Sequence, residues 1–324
     1  MRYRNLWCYA TLLSVIVAGL WLFGPREPAS LLLPIYEMAA PGDLDAYLAK
    51  REAVFDDIVP GTEKSIIWAG KPGKPTDIAI VYIHGFSASA MELQPLPNQV
   101  AAALGANLFF TRLTGHGRGS KAMQNASVAS WMHDMAEALA IGRRIGRRTI
   151  IIATSTGGTL AAAAALDAVA MRNVAGIVFV APNFGLQNKA STLLTWPFAR
   201  HWVPLLVGAM RHSPPRNPLH GRYWTTSYPT VALLPMAALV NQVMAANLAS
   251  TKVPALFYFS PDDKVVRPEK TVWVADRWGG LASVVTPVLG PNDDPLAHII
   301  AGDIVSPEQN DRAFQKILSW IKLL

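Results

Sequence analysis

Apolar positions fall into two rhythms along this chain. Short, β-branched runs at Asp77–Ile83, Asn107–Thr111, Thr149–Ala153 and Gly176–Ala181 are bounded by glycine or polar clusters, the pattern of strands buried on both faces. Longer stretches lie between them: one ending near Leu104, one from Ser130 to Arg144, and an alanine-rich one from Thr159 to Ala170, all of helical length. Strand, helix, strand repeated in this way predicts an α/β fold, a mostly parallel central sheet with helices on both faces. Further strands are expected at Ala255–Ser260 and Ser283–Leu289. Ser306-Pro307-Glu308-Gln309 then predicts the start of a terminal helix, with serine and glutamine in capping-box positions and proline first.

The alternation stops between Asn183 and Thr251. About seventy residues between two core strands exceed what a structureless loop usually spans, roughly 12 to 15 residues. Aromatic-rich helical pieces around Trp196, Trp202, Trp224 and Met236 predict a helical cap inserted at about 183–251.

The N-terminus follows a third pattern. Leu6 to Phe23 is apolar except for Thr11 and Ser14, and it follows Arg2 and Arg4. That describes a membrane-engaging segment, residues 1–24. Ala18-Gly19-Leu20 runs into Trp21, Leu22 and Phe23, a poor exit for a signal peptidase, so an uncleaved signal anchor is favoured and secretion after cleavage is the alternative. The two arginines would keep the N-terminus inside and place the rest beyond the inner membrane, periplasmic or extracellular. Residues 25–42, proline-rich and without periodicity, read as a linker, and the main domain is expected over 43–324.

Composition narrows the chemistry. With 51% hydrophobic and 16% charged residues among 324, the chain can bury one large core. The only cysteine, Cys8, lies in the apolar N-terminal run, so the domain can hold no disulfide and no thiolate-bound metal. The net charge of +7 drops to +5 without Arg2 and Arg4 and is spread along the chain, which makes nucleic acid an unsuitable partner. Arg143, Arg144, Arg147 and Arg148 would share one face if all lay on a helix, as a solvated end suited to the helix dipole. Gly115-His116-Gly117-Arg118-Gly119-Ser120 lacks the lysine that a phosphate loop needs and reads as a turn, with His116 structural.

One constellation carries chemistry. Ser155 sits between the strand Ile150-Ile151-Ile152-Ala153 and an alanine-rich helix, followed by Thr156-Gly157-Gly158, the pattern of a nucleophile elbow. Ala153 stands where glycine is usual. A serine hydroxyl is a poor nucleophile near neutral pH and needs a histidine base that a carboxylate orients. His298 lies between the last strand and the terminal helix, whereas His133 is on a helix and His201, His212 and His220 are in the cap. In Ser260-Pro261-Asp262-Asp263-Lys264-Val265-Val266, directly after a strand, Asp263 is favoured as the acid over Asp262, with Asp293 and Asp294 as outer candidates. His84-Gly85-Phe86 follows the strand that ends at Ile83; from position alone, the backbone N–H of Phe86 is expected to join that of Thr156 as an oxyanion hole, with His84 structural.

Taken in order, His84-Gly85-Phe86, Gly115-His116-Gly117, Ser155-Thr156-Gly157-Gly158, Asp263-Lys264-Val265-Val266 and His298 resemble the α/β-hydrolase superfamily, within it the carboxylesterases, monoacylglycerol lipases and lysophospholipases, over residues 60 to 324. The resemblance implies acyl transfer to water without a cofactor, on a small-molecule or lipid ester, with the cap shaping the pocket. Acyltransfer to an alcohol, thioester or amide cleavage, and a non-catalytic binding role on the same fold remain the alternatives.

Overall fold

The computed structural model describes residues 12, 14–16, 18–36 and 42–324. Arg2, Arg4, Cys8 and the first part of the apolar run lie outside the described residues. Among the described residues no helix is long and apolar enough to cross a membrane. Residues 18–23 are helical, and residues 25–36 form neither helix nor strand. They do not hang free as a linker would, because Ala29, Leu31 and Leu33 pack against the main core.

In the domain, the helix α1 (Leu44–Glu52) is capped by the Asp43 side chain, and β1 (Ser65–Ile67) leads into β2 (Thr76–Ile83). Next come α2 (Leu96–Leu104), β3 (Asn107–Phe110), α3 (Val128–Ile145), β4 (Gly146–Thr154), α4 (Thr156–Ala165) and β5 (Val174–Val180). The cap carries α5 (Ala199–Val207), β6 (Met210–His212), α6 (Pro218–Tyr223), β7 (Ser227–Pro229) and α7 (Leu233–Ala245). The sheet resumes with β8 (Ala255–Tyr258), α8 (Pro268–Ala275), β9 (Ala282–Val285) and α9 (Asn310–Ile321). The seven strands lie in the order β1-β3-β2-β4-β5-β8-β9, all parallel except β1, which pairs antiparallel with β3.

Successive residues of a strand face opposite sides of the sheet, so a strand covered on both sides must be apolar at every position. Ala79, Val81, Ile83, Ile151 and Ala153 enter the core beneath α3 and α4, while Ile80, Tyr82, Ile150 and Ile152 enter the core beneath α2 and α9. The unbroken runs in the sequence are this two-sided burial.

Several boundaries differ from the sequence expectation for local reasons. Arg147 and Arg148 are on β4, not on a helix, so the four arginines share no helical face; only Arg143 and Arg144 occupy the last turn of α3. Gly146 makes the break: a Cβ there would meet Ala79 Cβ and N at 2.6 Å, so the chain turns straight from helix into a strand beside β2. Helix α4 starts at Thr156 and stops at Ala165, because the Asp167 carboxylate accepts from Val169 and Ala170 N–H and holds the next turn. Ser306 does not cap the terminal helix. Its hydroxyl accepts from Asp294 N–H and donates to the Ile299 carbonyl, and α9 begins at Asn310 after a 3₁₀ turn, Pro307–Gln309. The cap also holds an antiparallel ribbon, β6 with β7, which its three-residue strands leave without a detectable alternation.

Candidate active site

The C-terminal ends of β4, β8 and β9 deliver the three predicted side chains to one edge of the sheet. Ser155 follows β4 at φ 50°, ψ −116°, a left-handed strained conformation that lifts its side chain out of the strand line before α4 begins. Its N–H donates to Val180 O at 3.0 Å, and its own carbonyl accepts from Asn183 N–H at 3.0 Å. Gly157 lets the turn close against β2: a Cβ there would meet Ile83 O at 2.4 Å and His84 O at 2.6 Å. Ala153, in place of the usual glycine, points its methyl into the core beneath α3 and α4 and obstructs nothing.

His298 Nε2 lies 3.0 Å from Ser155 Oγ, and His298 Nδ1 lies 2.7 Å from Asp263 Oδ2. The other Asp263 oxygen accepts from Val265 N–H at 2.8 Å and Val266 N–H at 2.9 Å, which fixes the carboxylate plane. Asp262 is exposed, and the carboxylate paired with His298 is that of Asp263. Asp293 and Asp294 do not reach the imidazole. Asp293 accepts from Gly290 N–H and Gln309 Nε2, whereas Asp294 Oδ2 accepts from the backbone N–H of His298 at 3.1 Å and of Ile299 at 2.8 Å. Burial would push the His298 pKa down, but the hydrogen bond and charge of Asp263, with Glu92 and Asp294 beyond it, outweigh burial and hold it above the ordinary histidine value.

Across from the histidine, the N–H groups of Phe86 and Thr156 find no hydrogen-bond partner among the described residues. The loop that carries Phe86 is pinned: His84 Nδ1–H donates to Gly85 O, and its Nε2 accepts from Leu113 N–H at 3.0 Å. Burial holds His84 well below the usual histidine range, so it stays neutral in this structural part. The Gly115–Ser120 segment is the turn leading from β3 to the next 3₁₀ helix, and His116 is buried there between His84 and Trp131. The cap closes over the loop: Tyr228 of β7 meets Phe86 edge to face at 5.3 Å, and Thr225 N–H donates to Ser87 O at 2.7 Å.

Two supporting residues, Glu92 and Arg216, escaped the sequence. Glu92 is buried, and its Oε2 accepts from Gly85 N–H at 2.8 Å and Tyr82 Oη–H at 3.0 Å, holding the loop directly before Phe86. Its only signal in the sequence is a lone acid among Ala90, Met91 and Leu93. Arg216 of the cap pairs with the buried Asp294 at 2.7 Å and so ties the cap to the histidine loop. Asp294, an outer candidate for the acid from its position four residues before His298, braces the histidine loop and makes no hydrogen bond to the imidazole.

Burial pushes the Glu92 pKa up to about 7, against the lowering effect of Gly85, Tyr82 and His298. Its ionised form therefore favours protonated His298. Glu92→Gln keeps an acceptor for Gly85 N–H and removes that charge, so the acidic limb of the kcat/KM profile is expected to move to lower pH. Glu92→Ala leaves Gly85 N–H unpaired and is expected to cost about 1–3 kcal/mol of stability, measured by denaturant unfolding.

Known proteins share the fold that carries this site. Residues 74–283, about two thirds of the chain, match the family described as serine aminopeptidase, S33. No curated protein matches the chain in sequence. Among solved structures, one from work on LipS and LipT, two metagenome-derived lipolytic enzymes, superposes with a TM-score of 0.65 at 19% identity, covering 82% of this chain and 100% of the other. The monoacylglycerol lipase of Paleococcus ferrophilus gives 0.56 at 16% identity, covering 80% and 98%. A soluble variant of monoglyceride lipase from Saccharomyces cerevisiae, in complex with a substrate analogue, gives 0.58 at 12%, covering 82% and 96%. At these identities the likeness is one of fold. The chain belongs to the serine aminopeptidase S33 family of α/β-hydrolases.

Proposed function

We propose that this protein is a serine hydrolase that cleaves carboxylic esters of lipidic or medium-chain acyl groups through an acyl-enzyme. The observation that carries the proposal is the continuous line Ser155 Oγ, His298 Nε2, His298 Nδ1, Asp263 Oδ2, with separations of 3.0 and 2.7 Å. In this mechanism His298 takes the Ser155 proton as Oγ attacks the ester carbonyl, and the N–H groups of Phe86 and Thr156 receive the developing alkoxide. His298 then gives the proton to the departing alcohol. Water, activated by the same imidazole, releases the acid and restores the serine. Every step uses side chains and amides of the chain, and no cofactor enters.

The apolar cap, with Tyr228 over Phe86, favours an apolar acyl group over a polar one. The apolar N-terminal run favours placement at the inner membrane, with the hydrolase domain periplasmic or extracellular. A fluorophosphonate probe is expected to label the intact protein and not Ser155→Ala, and p-nitrophenyl esters of increasing chain length would locate the acyl preference. Failure of well-folded protein to label would reject the hydrolase reading in favour of a binding role. Because the family description names an aminopeptidase, an aminoacyl anilide belongs in the same assay; faster cleavage of it than of any ester would reassign the substrate to an amide.

A further inference from the structure

We propose that the free end of cap helix α5, carrying Leu205, Leu206 and Val207, is a docking face for the lipid bilayer that the N-terminal apolar segment engages. The inference rests on the membrane placement proposed above and adds a second contact, made by the cap itself.

Helix α5 has already spent its buried stripe: Ala199 and Val203 pack with Leu234, and Trp202 and Leu194 lie beside them. Leu205 and Leu206, beyond that stripe, are 84% and 74% exposed, with Val207 exposed next to them. A helix end in water normally carries polar residues on that side. Three consecutive large apolar side chains there are the signature of a surface that meets something apolar.

Continuity with the N-terminal segment identifies the occupant. That segment ends against the first turn of the same helix. Trp21 meets Trp196 edge to face at 4.9 Å, Phe198 N–H donates to Pro25 O at 2.7 Å, and the Arg200 guanidinium forks onto Glu27 at 2.7 to 3.1 Å. Gly24 allows the approach, since a Cβ there would meet Phe198 at 2.5 Å and Pro197 at 2.8 Å. Leu12, Val15, Ile16, Leu20, Leu22 and Phe23 of the segment are themselves exposed. From the clamp to Leu206 is roughly 10 Å at 1.5 Å rise per residue. A bilayer around residues 12–23 therefore lies within reach of the end of α5. Arg211, just past that end, is exposed and makes no ion pair among the described residues, which suits an anionic headgroup. Since β6 and β7 connect this helix to Tyr228 over Phe86, the docked cap would place the site's mouth at the lipid surface.

The test uses the full chain with Cys8→Ser and Leu206→Cys, labelled with an environment-sensitive fluorophore and reconstituted with vesicles of phosphatidylethanolamine and phosphatidylglycerol. A blue-shifted emission, quenched by lipids bearing doxyl groups on their acyl chains, is the expected result. A water-like emission from protein that still floats with the vesicles would overturn cap docking and leave the N-terminal reading standing. Protein that does not float would overturn both. A blue shift that grows with protein concentration in the absence of lipid would assign the face to a second copy of the chain and overturn the lipid assignment. As an independent measure, Leu205→Glu/Leu206→Glu is expected to lower hydrolysis of a vesicle-borne medium-chain ester roughly tenfold, with little change on a soluble p-nitrophenyl ester. Equal loss on both, or on neither, would count against the proposal.

Discussion

Ser155→Ala is expected to lower kcat on an activated ester by about 10⁵- to 10⁶-fold while leaving the fold and KM nearly unchanged. The side chain is buried, its removal leaves only a small space beneath His298, and alanine faces the same strained φ that serine already tolerates. Unfolding midpoint and circular dichroism should therefore match the parent. What disappears is the one atom that can bond to the carbonyl. The residual rate would come from the Phe86 and Thr156 amides and from substrate binding, which act without the nucleophile. Adding His298→Ala to Ser155→Ala should cost almost nothing further, because the imidazole works only through the Ser155 hydroxyl, 3.0 Å away. A Ser155→Ala protein that kept more than about one per cent of the rate would remove the acyl-enzyme mechanism, since a lost nucleophile cannot cost so little. In the parent, catalysis needs neutral His298, so kcat/KM should rise with pH through a value above that of an ordinary histidine, the direction in which Asp263 holds it.

How much of this was legible in the sequence depends on the range of the interaction. The core strands could be read because burial on both faces demands unbroken apolar runs such as Ile150-Ile151-Ile152, and the elbow because its glycines must follow the serine at once. Ser155 and Asp263, predicted just after strands, and His298, predicted in the loop before the terminal helix, are brought together in the structure. The failures came where a distant partner overrode a local pattern. Ser306 has a helix-capping sequence, yet its hydroxyl is taken by the histidine loop through Asp294 and Ile299. Arg147 and Arg148 continue a helical charge pattern that Gly146 ends, because β2 comes too close for a side chain. Glu92 and Arg216 act on groups that only folding brings near, Gly85 and Asp294, and no spacing rule announces either. The β6–β7 ribbon is too short for a period of two to register.

Asp263→Asn separates the acid from its neighbour and is expected to lower kcat by about 10⁴-fold. The loss exceeds that of a simple charge deletion. Asp263 Oδ2 now accepts from His298 Nδ1–H at 2.7 Å, which leaves Nε2 free to accept the Ser155 proton. An asparagine amide turned toward Nδ1 would donate, drive the imidazole proton onto Nε2, and leave a ring that can no longer act as base toward Ser155. With the charge gone, burial would dominate, the His298 pKa would fall, and the acidic limb should move to lower pH even as the plateau collapses. Asp262→Asn, at an exposed side chain that makes no contact with His298, should leave both plateau and limb where they are. Asp294→Asn should behave differently from either: it weakens the Arg216 pair and the brace on the His298 and Ile299 amides, so it should reduce kcat less than Asp263→Asn and lower stability more. If Asp262→Asn or Asp294→Asn produced the 10⁴-fold loss and Asp263→Asn did not, the acid would have to be reassigned, and with it the orientation of His298 from which the mechanism follows.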